Sequence, residues 1–98
     1  MTNREIFDEL ELLSPPATTI YGILVYLSMP LDSFAEQMEI PLNEAIQLID
    51  TAYPITEHTA IKLEKVLKID RSFWMNRERN YREKLAYLHQ QLRLNSKQ

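Results

Sequence analysis

The sequence predicts a small all-α domain of five or six short helices, and three observations carry that expectation. Gly22 is the single glycine in 98 residues, and no segment alternates apolar and polar residues for long, so tight hairpins have no support. The five prolines, Pro15, Pro16, Pro30, Pro41 and Pro54, fall between apolar runs rather than inside them. Proline is tolerated in a first helical turn and breaks a helix interior, so these positions mark helix boundaries. A hydrophobic content of 45% in a chain of this length supports one core and is too little for two.

Residues 3–12 place Ile6, Phe7 and Leu10 at helical spacing behind Asn3, a suitable capping residue, and Pro15 closes the segment. A second helix is expected from Thr18 or Thr19 to Ser28. Its Ile20, Ile23, Leu24, Tyr26 and Leu27 make it apolar on nearly every side, which reads as burial. Leu31 to Met38 forms a third, with Leu31, Phe34, Ala35 and Met38 on one face and Glu36 and Gln37 outside. A turn at Glu39-Ile40-Pro41 leads to a fourth helix, Leu42 to Thr51. Thr56 caps a fifth, Glu57 to Leu67, whose core face is Ala60, Ile61, Leu63, Val66 and Leu67. Asp70 caps the last, Arg71 to about Leu94, carrying Phe73, Trp74, Tyr81, Leu85, Leu88 and Leu92, with a frayed tail beyond. The expected organisation is an N-terminal helical extension over 1–14, a central domain over 15–76, and a C-terminal helical extension over 77–98 that serves dimerisation.

Charge divides the chain at residue 61. The first 61 residues hold ten acids, Glu5, Asp8, Glu9, Glu11, Asp32, Glu36, Glu39, Glu44, Asp50 and Glu57, against Arg4 alone, a balance of minus nine. Residues 62–98 hold ten bases against Glu64, Asp70, Glu78 and Glu83, a balance of plus six, which gives the net minus 3. This is not the uniformly basic body of a strong non-specific nucleic-acid binder, although a polarised surface still offers one basic face.

The chemical inventory argues against an enzyme. There is no cysteine, hence no thiolate nucleophile or thiolate metal site, and His58 and His89 are too far apart in sequence to form a local pair. No glycine-rich phosphate loop or motif with catalytic mechanics occurs. Both histidines are expected at the surface, and the carboxylates of Asp32 and Glu36 form an acidic surface. No cofactor or metal is expected. The start MTNREIFDEL lacks the pattern of a signal peptide, and no apolar run approaches the ~20 residues a bilayer requires. A cytoplasmic protein without a membrane partner is the expectation.

The run from Pro15 to Tyr81, about two-thirds of the chain, resembles the helix-turn-helix domain of HigA-type antitoxins within the larger phage-repressor-like (XRE) family. Three features carry the resemblance: the helix-turn-helix spacing with Ala35 and Ile40, the segment PITEHTAIKLEKVLKID, and SFWMNRE, which looks like that family's Phe/Leu-Trp-Leu-Asn signature. Ala35 fits where the two motif helices cross closely, and Ile40 and Leu48 fill the angle between them. Glu39 stands where the family usually has glycine in the turn, and Asp50-Thr51 replaces the common Asn-Gly.

The resemblance implies that Leu42, Asn43, Glu44, Ile46 and Gln47 face a major groove. Asn43 and Gln47, four apart, share a helix face, and their amides suit adenine; Glu44 suits a cytosine amino group. Leu42 and Ile46 replace polar or basic side chains of the family, while Pro41 and Leu31 replace a hydroxyl or an amide. The nearest cations are Lys62, Lys65, Lys68 and Arg71 on the following segment, with Lys62 the first candidate for a phosphate. Helix N-termini offer a second route to phosphate that requires no lysine. The implied function is a homodimeric DNA-binding regulator that represses its own operon and neutralises a small basic ribonuclease toxin, which the acidic half would attract.

Other readings stay open beside these. The stripe Leu42, Ile46, Ile49 fits the core, an exposed protein-binding ridge, or a groove-facing set. Trp74 reads as a core or dimer plug rather than an interface anchor. The cluster Arg77, Arg79, Arg82, Lys84 reads as a solvated helix face laced by Glu78–Arg82 and Arg79–Glu83 pairs, with nucleic-acid binding as its rival. The alternative function is a protein-interaction module on a helix-turn-helix scaffold that has lost DNA binding. In that reading the two charged halves pair between subunits, head to tail.

Overall fold

The computed structural model describes residues 1–50 and 53–96. Six helices appear among them: α1 (Asn3–Leu12), α2 (Pro16–Tyr26), α3 (Leu31–Met38), α4 (Leu42–Asp50), α5 (Glu57–Leu67) and α6 (Arg71–Ser96). The all-α expectation holds, and its upper helix count is the right one. The end of the fourth helix expected at Thr51, and the Thr51 half of the Asp50-Thr51 pair, lie outside the described residues.

The core joins α2 to α5 with the start of α6. Ile20, Leu24, Phe34, Ala35, Met38, Ala45, Leu48, Ile55, Ala60, Leu63, Leu67 and Trp74 form one buried cluster. Trp74 is fully enclosed, as a core plug, and its indole Nε1 donates to the Ile69 carbonyl at 3.2 Å. That bond satisfies the one polar atom an indole brings inside.

Several boundaries differ from expectation for local reasons. Thr2, not Asn3, caps α1: its hydroxyl accepts the Glu5 amide at 3.2 Å while Glu5 reaches back to the Thr2 amide at 3.4 Å, a reciprocal capping box. Asn3 instead accepts a bond from Asn95. Helix α2 starts at Pro16 rather than Thr18 because a proline at N1 has the φ of a helix and no amide to satisfy there. It stops at Tyr26: Ser28 turns left-handed at φ 53°, and the Ser28 and Met29 amides return to Val25 and Leu24, a Schellman closure made without glycine. Nor is α2 buried all round, since Tyr21, Val25 and Tyr26 are exposed. On α5, Ile61 is exposed and Val66 only half-buried, which narrows the expected core face. Helix α6 continues beyond Leu94 to Ser96 because Asn95 Nδ2 donates to the Met1 carbonyl at 2.8 Å.

These last contacts belong to an antiparallel arm of α1 and α6. Asn95 meets Met1 and Asn3, Lys84 meets Glu9 at 3.4 Å, and the Arg77 guanidinium donates to the Ser14 and Pro15 carbonyls and the Thr19 hydroxyl. Ile6 and Leu88 are fully buried. The 26 residues of α6 span roughly 39 Å at 1.5 Å per residue, which accounts for extents of 51 × 22 × 21 Å.

Candidate nucleic-acid interface

The two motif helices are α3 and α4. Ala35 is buried where α3 meets α4, as are Ala45 and Leu48 from the other side, so small side chains let the axes approach and Leu48 fills the angle. Glu39 takes φ 58° and ψ 46°, the left-handed conformation that the usual glycine adopts freely. The Glu39 and Ile40 amides return to the Glu36 and Ala35 carbonyls at 3.1 Å. The chain therefore makes the tight turn with a side chain in place, and strain is the cost.

The faces of α4 separate the expected groove residues. Leu42, Asn43, Ile46 and Gln47 are exposed, with Leu42 49% and Ile46 43% accessible. Glu44 is half-buried and lines a cleft with Tyr53, Pro54, Thr56, His58 and Thr59, below the start of α5. Ile49 turns the opposite way, into a cleft with Leu24, Met29 and Leu31. Of the stripe Leu42, Ile46, Ile49, the first two form an exposed ridge and only Ile49 is partly covered.

The cations are placed less favourably for a phosphate backbone. Lys62 is half-buried on α5. Lys65 and Lys68 line a cleft between α3 and α5 with Ser33, Glu36, Gln37 and Glu39, so two acids share their surroundings. Arg71 is held by Glu64, through its guanidinium at 3.2 Å and its backbone amide at 2.9 Å. Asp70 beside it has its carboxyl held below the usual range, first by a hydrogen bond with the Glu64 side chain and then by Ser72. Helix N-termini offer amides, yet those of α3, α4 and α5 each carry an acid in the first turn: Asp32, Glu44 and Glu57. The Asp32 carboxylate already accepts the Ser33 amide at 2.9 Å, the position a phosphate oxygen would take.

The basic stretch of α6 is largely engaged within the fold. Arg77 fastens the α1–α2 junction, Arg82 pairs with the nine-tenths buried Glu78 at 2.7 Å, and Lys84 pairs with Glu9. The Glu78–Arg82 pair is the one expected. Arg79 instead bonds the Asn76 side chain, three residues back, rather than Glu83. No group of three or more His, Asp or Glu side chains among the described residues is placed to hold a metal. No single helix among the described residues is long and apolar enough to cross a membrane. His58 and His89 are exposed.

Sequence reasoning missed the exposed face of α2. The signal was present, because a chain this short cannot enclose every side of an 11-residue apolar helix.

No protein-family model matches the chain, and no curated protein matches it. Among solved structures, an addiction module antidote protein of the HigA family from Coxiella burnetii is similar, with 25% identity and a TM-score of 0.77 over 86% of this chain and 92% of that one. That likeness reaches past Pro15–Tyr81 and bears out the resemblance read from the sequence: the chain is similar to a HigA-family antidote and has its helix-turn-helix fold.

Proposed function

We propose that the chain is a transcriptional regulator of the HigA antitoxin class that binds its own operator as a homodimer and neutralises a small basic ribonuclease toxin. One observation carries the DNA half: Asn43 and Gln47 stand one turn apart on the exposed face of a motif helix whose turn and crossing are intact. Two amides so spaced can each read an adenine edge through a bidentate pair. Leu42 and Ile46 flank them and suit thymine methyl groups. Glu44 and Lys62, both half-buried, complete the proposed set. The proposed extensions over 1–14 and 77–98, whose described residues include α1 and the rest of α6, supply the proposed dimer contact beside a central 15–76 domain.

The test is binding to the protein's own promoter DNA over a salt series, comparing wild type with the Asn43→Ala, Gln47→Ala double variant. Specific binding that is lost in the variant supports the reading. Absence of binding by wild type at low salt overturns it.

A second reading, a protein-interaction module without DNA binding, is favoured by the acids in the first turns of α3, α4 and α5. They set negative charge where phosphates would approach.

A further inference from the structure

We propose that the cleft between α2, α3 and α4 receives an apolar side chain flanked by lysine or arginine, carried on a basic protein partner. The cleft, of about 300 Å³, is lined by Tyr21, Leu24, Val25, Ser28, Met29, Pro30, Leu31 and Ile49, without a single charged group. Around it the surface stays apolar: Tyr21 is 55%, Val25 60% and Tyr26 86% exposed. An apolar surface this continuous marks an interaction site rather than scattered exposure.

The charge of the occupant follows from the rim. Asp32 and Asp50 directly follow the lining residues Leu31 and Ile49. The carboxyl ends of α2 and α4 both lie at the cleft, and neither helix has a basic residue in its last turn. Helix C-termini carry partial negative charge that cations normally offset. The amino end of α3 also lies at the cleft, at Pro30 and Leu31, and its partial positive charge is met by Asp32. The apolar walls with Asp50 and the acidic surroundings therefore select an apolar anchor with cationic neighbours. Every charge between Glu5 and Glu57 is negative, so a second copy docking the same face on itself brings like charges together. At the cleft itself Asp32 and Asp50 set the same repulsion against a nucleic acid or an anionic membrane. A basic protein meets none, gains association rate from steering, and places its anchor where desolvation is complete.

The proposal rests on the antitoxin reading only for which protein brings the anchor. The test co-expresses the full chain with the small basic protein encoded beside its gene and measures affinity of the purified pair. Val25→Glu, at an exposed position of α2 outside the proposed base-reading set on α4, is expected to weaken that pair at least about thirtyfold and to leave operator binding unchanged. Asp32→Lys with Asp50→Lys is expected to weaken it and to flatten its salt dependence. Asn43→Ala with Gln47→Ala is expected to leave the pair intact. A thermal melt of each variant separates lost docking from lost folding. A pair that survives both cleft variants overturns the docking surface while the antitoxin reading stands. Failure of wild type to bind the basic protein overturns both.

Discussion

Glu39 and Arg77 show two ways in which one residue sets the geometry of this chain. A non-glycine residue in the left-handed region costs about 1–2 kcal/mol, part of which glycine returns as greater freedom of the unfolded chain, ~0.5–1 kcal/mol. With φ at 58° for Glu39, Glu39→Gly is expected to stabilise the domain by about 0.5–1 kcal/mol, a rise of a few degrees in Tm for this size. A calorimetric scan that shows no rise would mean the turn is already relaxed. This turn was legible in the sequence, because Glu39 occupies the family's glycine position between two clear apolar repeats. Arg77 was not. Nothing in its neighbours foretells that its guanidinium reaches the Ser14 and Pro15 carbonyls and the Thr19 hydroxyl; a charged residue on a helix reads as solvated by default. Arg77→Ala is expected to cost about 2–3 kcal/mol, the range for losing bonds to a charged donor. Arg77→Lys is expected to recover only part of it, since an ammonium cannot span three acceptors as a fork does. Urea unfolding with an unchanged m-value is the measurement.

Helices α1 and α6 are where element-scale reasoning from sequence stopped short. The 3.6-residue period identifies a buried face, but it does not say which face will meet it. Ile6 and Leu88 were both legible as apolar positions, whereas their burial against each other's helices depends on an antiparallel pairing of the two ends of the chain. Helix α1 packs chiefly on α6, so its stability is separable from that of the motif. Ile6→Ala, which empties a fully buried position, is expected to cost the arm about 2–4 kcal/mol. Hydrogen exchange should then show α1 amides opening faster while α3 and α4 amides keep their protection. Equal acceleration everywhere would show that arm and body unfold as one. The α5–α6 corner adds a pH dependence. The Asp70 carboxyl, lowered by Glu64 and then Ser72, contributes stability above its ordinary value of 3.8 and loses it as pH falls through the lower folded value. Asp70→Asn is therefore expected to leave stability at pH 3 closer to its value at pH 6, each compared with wild type by denaturant titration.

Across the whole molecule the charge reversal at residue 61 was plain in the sequence, whereas folding partly mixes it: Lys84 meets Glu9, and Lys65 and Lys68 share a cleft with Glu36 and Glu39. The exposed face of α4, the proposed operator face, lies in the half without lysine, and the cations beyond it are shared with Glu36, Glu39 and Glu64. That arrangement makes a quantitative statement about operator binding. The salt slope of binding counts neutralised phosphates at about 0.9 per contact, and repressors making 6–10 such contacts have steep slopes. With Lys62 the first cation past Arg4, a dimer of this chain is expected to show a slope shallower than about −3. Its discrimination must then come from Asn43, Gln47 and the apolar pair Leu42 and Ile46, so a mismatched adenine should cost a large fraction of the total affinity. A measured slope near −6 or steeper would show instead that Lys65 and Lys68 swing from their cleft to the phosphates. In that case neutralising Lys65 and Lys68 should return the slope toward −3, and the acids at Glu36 and Glu39 would act as a brake on DNA affinity rather than as the partners of those lysines.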